Sequence, residues 1–224
     1  MIEIKEISKR YGRHRILENI SFQIDKGECI GIVGANGSGK TTLLSIISGI
    51  MKADKGEILA DGKVISNSPK NIAKYISYVP QDNPLINELT ALDNLRLWYS
   101  GSKKELKNEV ENGILKFLGI NEFTDKTVSK MSGGMKKRLS IGIALLEKPS
   151  LLIMDEPSAA LDLAGKYRIK DYMKQYTSKM NGSILVVSHD QNELSVCSKL
   201  FLLKDGHLNR IDAALEDSEL IHLL

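Results

Sequence analysis

The chain has 224 residues, 42% of them hydrophobic and 26% charged, with a formal net charge of +3. This is an ordinary globular composition, enough for one large domain or a core with a subdomain. The charge is too mild to argue for a nucleic-acid partner, and no apolar run reaches the roughly eighteen residues of a membrane span.

In chain order, the first residues alternate like a strand and lack the apolar core of a signal peptide, so the protein is expected to stay in the cytosol. Strands are expected over residues 2–7, 21–24, 28–33, 57–60 and 76–79, punctuated by turns such as Asp25-Lys26-Gly27 and Asp61-Gly62. From residue 89 to about 118 the period becomes helical, through Leu92, Leu95 and Tyr99 and then Leu106, Val110, Ile114, Leu115 and Leu118, with Gly101-Ser102 dividing two helices. Another helix is expected over residues 136–147. Residues 151–154 and 184–187 read as strands of a buried parallel sheet. Helices fall near residues 161–180 and 192–197, a strand at 201–203 and a terminal helix over 213–224. A helical insert thus splits an α/β core. Cys29 and Cys197, far apart and each in an apolar run, read as buried free thiols. Lys103-Lys104 and Lys136-Lys137-Arg138 read as solvated helix faces.

Two motifs carry chemistry. Gly34-Ala35-Asn36-Gly37-Ser38-Gly39-Lys40-Thr41-Thr42 fits G-x-x-x-x-G-K-[ST], between the strand-like Cys29-Ile30-Gly31-Ile32-Val33 and the helix-like Leu43-Leu44-Ser45-Ile46-Ile47. Glycines let the backbone fold round a phosphate with its N–H groups inward, and a helix N-terminus adds partial positive charge. Lys40 can reach the β- and γ-phosphates, and the Thr41 hydroxyl can ligate Mg²⁺. The second motif, Leu151-Leu152-Ile153-Met154-Asp155-Glu156-Pro157, is an apolar strand ending in two carboxylates, at the edge where α/β sheets place ligands. Asp155 is expected to hold Mg²⁺ through its shell, and Glu156 to polarise an attacking water.

Met131-Ser132-Gly133-Gly134-Met135, shortly before that strand, resembles the L-S-G-G-Q signature of the ATP-binding cassette (ABC) ATPases, and the motifs stand in that family's order. The resemblance implies a RecA-like P-loop NTPase α/β core with an N-terminal antiparallel β layer and an inserted helical subdomain. The single ATPase domain would have its core over residues 1–81 and 150–224 and its insert over 82–149. It implies ATP and Mg²⁺ as cofactors, with Gly34, Asn36, Gly37, Ser38, Gly39, Lys40, Thr41 and Thr42 on the phosphates. Ser132, Gly133 and Gly134 would face the γ-phosphate held by a second subunit. Met131 and Met135 depart from the signature, and Met135 removes a polar group facing the partner's nucleotide. Tyr11 lies where the family stacks an aromatic on adenine. Gln81, after Tyr78-Val79-Pro80, matches the glutamine that senses Mg²⁺ and water and hinges the insert. Asp162, in Ala160-Leu161-Asp162, matches the loop that crosses the dimer interface, and reads equally as a helix N-cap. His189, in Val187-Ser188-His189-Asp190, matches the switch histidine on the γ-phosphate. Catalysis is thereby assigned to Glu156, His189, Lys40 and Gln81, and the metal to Thr41, Gln81 and Asp155.

The implied activity is hydrolysis of ATP to ADP and phosphate, driving transport through a separate transmembrane permease subunit at the cytoplasmic face of the membrane. The working unit would be two copies of the chain, or one copy with a paralogous ATPase subunit, and no nucleic acid is expected. A groove near Gln81 and residues 85–89 would receive the permease's cytoplasmic helix. Lys126-Thr127-Val128-Ser129-Lys130 lacks the acidic, glycine-containing stretch of fused exporters, which inclines the reading to an export system with separate subunits. Two other classes stay open. One is a non-transport cassette ATPase acting on ribosomes or DNA, although those resemble tandem or coiled-coil-split cassettes. The other is a nucleotide-gated clamp with little hydrolysis, a reading that Met135 keeps alive.

Overall fold

Ile2, Ile4 and Ile7 all face inward although the last is out of step with the alternation of the first two. The cause is a bulge. Glu6 takes a left-handed φ of 52°, and the pairing register shifts between Ile4 and Ile7. A one-residue bulge resets which face a strand buries. The first strand, β1 (Ile2–Tyr11), therefore runs on beyond the stretch where alternation stops, paired antiparallel with β2 (His14–Ile24), in which Asn19 has φ 51°. Both are longer than the sequence pattern indicates, because Lys9, Arg10, His14 and Arg15 near the turn carry no apolar signal.

The computed structural model describes residues 1–159 and 161–212. Next come the wholly buried β3 (Cys29–Val33), α1 (Lys40–Ile47), β4 (Lys55–Ala60), β5 (Lys63–Val64), α2 (Pro69–Ile72) and β6 (Ile76–Val79). The helical stretch follows as α3 (Ala91–Trp98), α4 (Lys103–Glu111), α5 (Ile114–Phe117) and α6 (Gly133–Leu145). The chain then alternates through β7 (Leu151–Asp155), α7 (Leu163–Met180), β8 (Ser183–Val187), α8 (Gln191–Leu194), β9 (Lys199–Lys204) and β10 (His207–Ile211). The helix expected over residues 213–224 lies outside the described residues.

Two sheets result. One is antiparallel, in the order β2-β1-β4-β5; the other runs β10-β9-β3-β8-β7-β6 and is parallel except for its β9–β10 pair. The second sheet divides the interior. Ile30, Ile32, Ile153, Leu185 and Val187 join α1 and the antiparallel layer in one core. Leu152, Met154, Ile184 and Val186 face the other core, with α3, α6 and α7. Strands buried on both faces read as unbroken apolar runs, as these do. The edge strand β10 was not expected, since its residues are exposed or half-buried. The Asp205-Gly206 turn before it, at φ 51° and 78°, is the hairpin signal that marks it.

The helical connections follow local chemistry. Ser102 and Glu105 form a reciprocal cap that starts α4 directly after the expected break. Asn94 is fully buried and closes the preceding loop, accepting from the Ile86 N–H and donating to the carbonyls of Ile86 and Thr90. Cys29 and Cys197 are free and buried, as expected, and are neighbours with sulfurs 3.3 Å apart. One expectation fails. Lys136-Lys137-Arg138 is not a solvated face, because Lys137 is 2% exposed and Arg138 is half-buried, donating to the Leu118 carbonyl over the Phe123 ring. Lys137 shares the inward side of α6 with Ser140 and Ile141, three and four residues on, both buried.

Candidate nucleotide-binding site

Because β3, β6, β7 and β8 are parallel, their chain ends all emerge at one end of the sheet. The phosphate loop follows β3, Pro80 and Gln81 follow β6, Asp155 and Glu156 close β7, and Ser188 and His189 follow β8. A Cβ on Gly34 would come within 2.5 Å of the Leu203 carbonyl oxygen, so only glycine lets the loop pass there. Gly37, at φ 82°, faces open space, and Gly39, at φ 103°, caps α1 without any side-chain hydrogen bond. The first N–H groups of α1 are thus left for an outside acceptor. The Ser38 hydroxyl is buried and without a partner. Lys40 lies across the loop and donates to the carbonyls of Gly34 (2.5 Å) and Ala35 (3.0 Å). Burial lowers its pKa, against the pull of Glu156 and Asp155. Asn36 and Thr41 are exposed and Thr42 half-buried. Unpaired donors, an orphan hydroxyl and a helix N-terminus fit a bound phosphate.

Asp155 is buried and accepts from the Tyr78 hydroxyl at 3.1 Å. Burial pushes its carboxyl up, while hydrogen bonds from Tyr78 and Thr41 and the charges of Lys40 and Lys137 hold it down. Tyr78 was not foreseen, although it stands at the end of an apolar strand pointing to the same edge. One carboxylate beside one hydroxyl suits Mg²⁺, which takes few protein ligands and completes its shell with phosphate oxygens and water. The residues present therefore fit the ion.

Glu156 has a left-handed φ of 44°, and its N–H donates to the Val187 carbonyl at 2.8 Å. Such backbone costs about 1–3 kcal/mol in a residue with a Cβ and clusters at functional sites. Its carboxylate lies 3.5 Å from the imidazole Nε2 of His189. Burial raises the Glu156 pKa, with Asp155 adding to it. Burial and Lys40 lower that of His189, so at neutral pH the imidazole is uncharged and the contact is not an ion pair.

The remaining candidates stand apart. Tyr11, near the hairpin turn, is 47% exposed, with its hydroxyl 3.1 Å from the Met51 sulfur. Gln81 is exposed, and its main-chain carbonyl accepts from Lys137. Ser132, Gly133, Gly134 and Asp162 line a second cleft of about 300 Å³ together with Arg138 and Arg168, and no phosphate-loop residue lines it. Ser132 caps α6 by accepting from the Met135 N–H at 3.3 Å, and Asp162 caps α7 by accepting from the Gly165 N–H at 2.7 Å. The first turn of α6 carries no acidic residue.

A phosphate loop and a carboxylate-tipped strand at the C-terminal edge of a parallel sheet define a P-loop nucleotide-binding protein. Residues 17–159 match the family model described as "ABC transporter". The linearmycin resistance ATP-binding protein LnrL of Bacillus subtilis is 35% identical over 212 residues, 93% of this chain and 68% of that protein. The bacitracin export ATP-binding protein BceA of Halalkalibacterium halodurans is 33% identical over 219 residues, 93% of this chain and 87% of that protein. Among solved structures, the dimeric post-hydrolysis state of the ATP-binding cassette MJ0796 bound to ADP and Pi superposes with a TM-score of 0.81 at 28% identity, over 96% of this chain and all of that one. The chain belongs to the ABC transporter family, as an ATP-binding subunit of the cassette type. Among the described residues no helix is long and apolar enough to cross a membrane.

Proposed function

We propose that two copies of this cassette, or one with a paralogue, close around two ATP molecules and hydrolyse them to drive a separate membrane permease. The observation that carries this reading is the division of the candidate residues into two groups. Lys40, Thr41, Asp155, Glu156 and His189 gather at one sheet edge. Ser132, Gly133, Gly134 and Asp162 line a different cleft, which presents a helix N-terminus and two arginines. Each group is half of a phosphate site, and a twofold pairing would complete both halves at once.

In this scheme the phosphate loop and Lys40 bind the β- and γ-phosphates, and Tyr11 stacks on the base. Mg²⁺, beside Thr41 and Asp155 and within reach of Gln81, would neutralise the charge that develops on the phosphates. Glu156, with its raised pKa, takes a proton from the attacking water, and neutral His189 orients Glu156 and the γ-phosphate. The Ser132 oxygen accepts from its own helix, which leaves the O–H hydrogen free to donate to the partner's γ-phosphate. Dimerisation by ATP and release after hydrolysis supply the stroke. The groove near Gln81 and residues 85–89 receives the permease.

The test is Glu156→Gln. The variant should bind Mg-ATP, release phosphate roughly 10²–10⁴-fold more slowly, and become a dimer in light scattering. A variant that binds ATP yet stays monomeric removes the sandwich, and undiminished phosphate release removes Glu156 as base. Tagged and solubilised gently from its native membranes in Mg-ATP, the same variant should bring down a multi-pass membrane protein. Ribosomes or DNA-binding proteins in its place would move the reading to the non-transport cassettes.

A further inference from the structure

Lys137 occupies a position where an ammonium is costly. It lies in the second turn of α6, downstream of the capping Ser132, and is 2% exposed. Its Nζ donates to two carbonyls of a different segment, Pro80 at 3.0 Å and Gln81 at 2.9 Å. These are the two residues that follow β6. One side chain therefore ties the helix that starts at the signature serine to the loop that carries Gln81.

The surroundings are built for a cation. Burial lowers the Lys137 pKa, and Asp82, Glu193 and Asp155 oppose that fall. Glu193 is itself fully enclosed. Neither of its carboxylate oxygens completes a well-formed hydrogen bond, although the hydroxyls of Ser158 and Ser188 face it. Lysine normally snorkels, leaving its stem in apolar contact and its ammonium in water. An apolar side chain would fill the same helix position without desolvating a charge. What lysine adds is a fixed separation between two elements, because two short bonds to main-chain carbonyls cannot be kept if the elements slide apart.

We propose that Lys137 is a positioning residue for ATP turnover: it latches the Gln81 loop to the signature helix, so that events at a protomer's own γ-phosphate move the Ser132 segment it offers to its partner. This inference rests on the ATPase reading above. The latch makes the two nucleotide sites of a dimer answer to one another, because the segment that senses one site is bonded to the helix that completes the other.

Wild type, Lys137→Met and Lys137→Arg are compared for Mg-ATP affinity of the monomer, kcat, and amide hydrogen exchange over residues 80–86. Methionine matches the stem and removes the donors, whereas the arginine guanidinium keeps donors for both carbonyls. The methionine variant should keep its ATP affinity within about threefold, lose about tenfold or more in kcat, and exchange faster over residues 80–86. In the Glu156→Gln background it should need about tenfold more protein to dimerise. The arginine variant should return kcat to within about threefold of wild type. A methionine variant with wild-type kcat and unchanged exchange overturns the latch. So does one whose affinity, kcat and Tm fall together without rescue by arginine. Lys137→Gln, whose shorter amide cannot span both carbonyls, is run in parallel under the same criteria in case the methionine variant does not fold. A wild type without ATPase activity would instead sink the parent reading, and the exchange comparison would still decide whether the loop is tied.

Discussion

A carboxyl enclosed away from solvent weighs against folding wherever it must ionise, and Glu193, fully buried, is such a group. Burial holds its pKa above the ordinary 4.5. Between that value and the folded one the native state holds a proton that the unfolded chain has lost, so stability falls as pH rises through this window. Above the window the whole penalty is present. Glu193→Gln removes it, so the variant should melt higher at about pH 7.5, by about 2–4 °C per kcal/mol recovered, and the advantage should vanish below about pH 4.5. An advantage of equal size at both pH values in a thermal melt would mean that charge is not its source. The phosphate loop and the Asp155-Glu156 pair were legible because their spacing is itself the chemistry. Lys137 was not, because a run of three basic residues hides a helix period in which the middle one is fully buried. Nor was Tyr78, since nothing local marks a tyrosine as the partner of a carboxylate that arrives from β7.

Elements were read well where packing imposes a single pattern and poorly where the edge of a sheet or a cap decides. The buried strands β3, β7 and β8 announce themselves by unbroken apolar runs. The far ends of β1 and β2 and all of β10 do not, being charged or polar and half in water. The start of α6 was expected at Lys136, and Gly133 and Gly134 are poor helix formers. The Ser132 cap wins over that propensity and starts the helix at Gly133. The same local logic gives a prediction at Asn94. Its amide clamps the loop before α3 from inside with three bonds to the main chain. Asn94→Leu would fill the space but strand the Ile86 N–H, at about 1–3 kcal/mol, while the Ile86 carbonyl keeps the Leu89 N–H. A urea titration should show a lower midpoint with an unchanged m-value, and an unaltered midpoint would mean that the loop finds other partners.

At the scale of the whole molecule, the separation of the two half-sites allows activity to be removed without harm to the fold. A Cβ on Gly134 meets nothing within 4 Å. Gly134→Asp places a carboxylate in the first turn of α6, where the helix dipole welcomes it but a partner's γ-phosphate would not. The variant should melt at or above the wild-type temperature and bind ATP within about twofold, yet lose about tenfold or more in ATP-driven dimerisation and phosphate release. Full turnover in this variant would mean that the second cleft never meets a nucleotide. A separate consequence follows from the place of β3 in its sheet. Its two neighbours are β8 and β9, both from the last part of the chain. During translation the phosphate loop leaves the ribosome early, yet its strand stays unpaired until those two have emerged. The antiparallel β2-β1-β4-β5 layer draws only on earlier residues and can form first. Nucleotide capture is then among the last steps of the nascent chain's folding, and ATP can select only chains whose synthesis has passed β9.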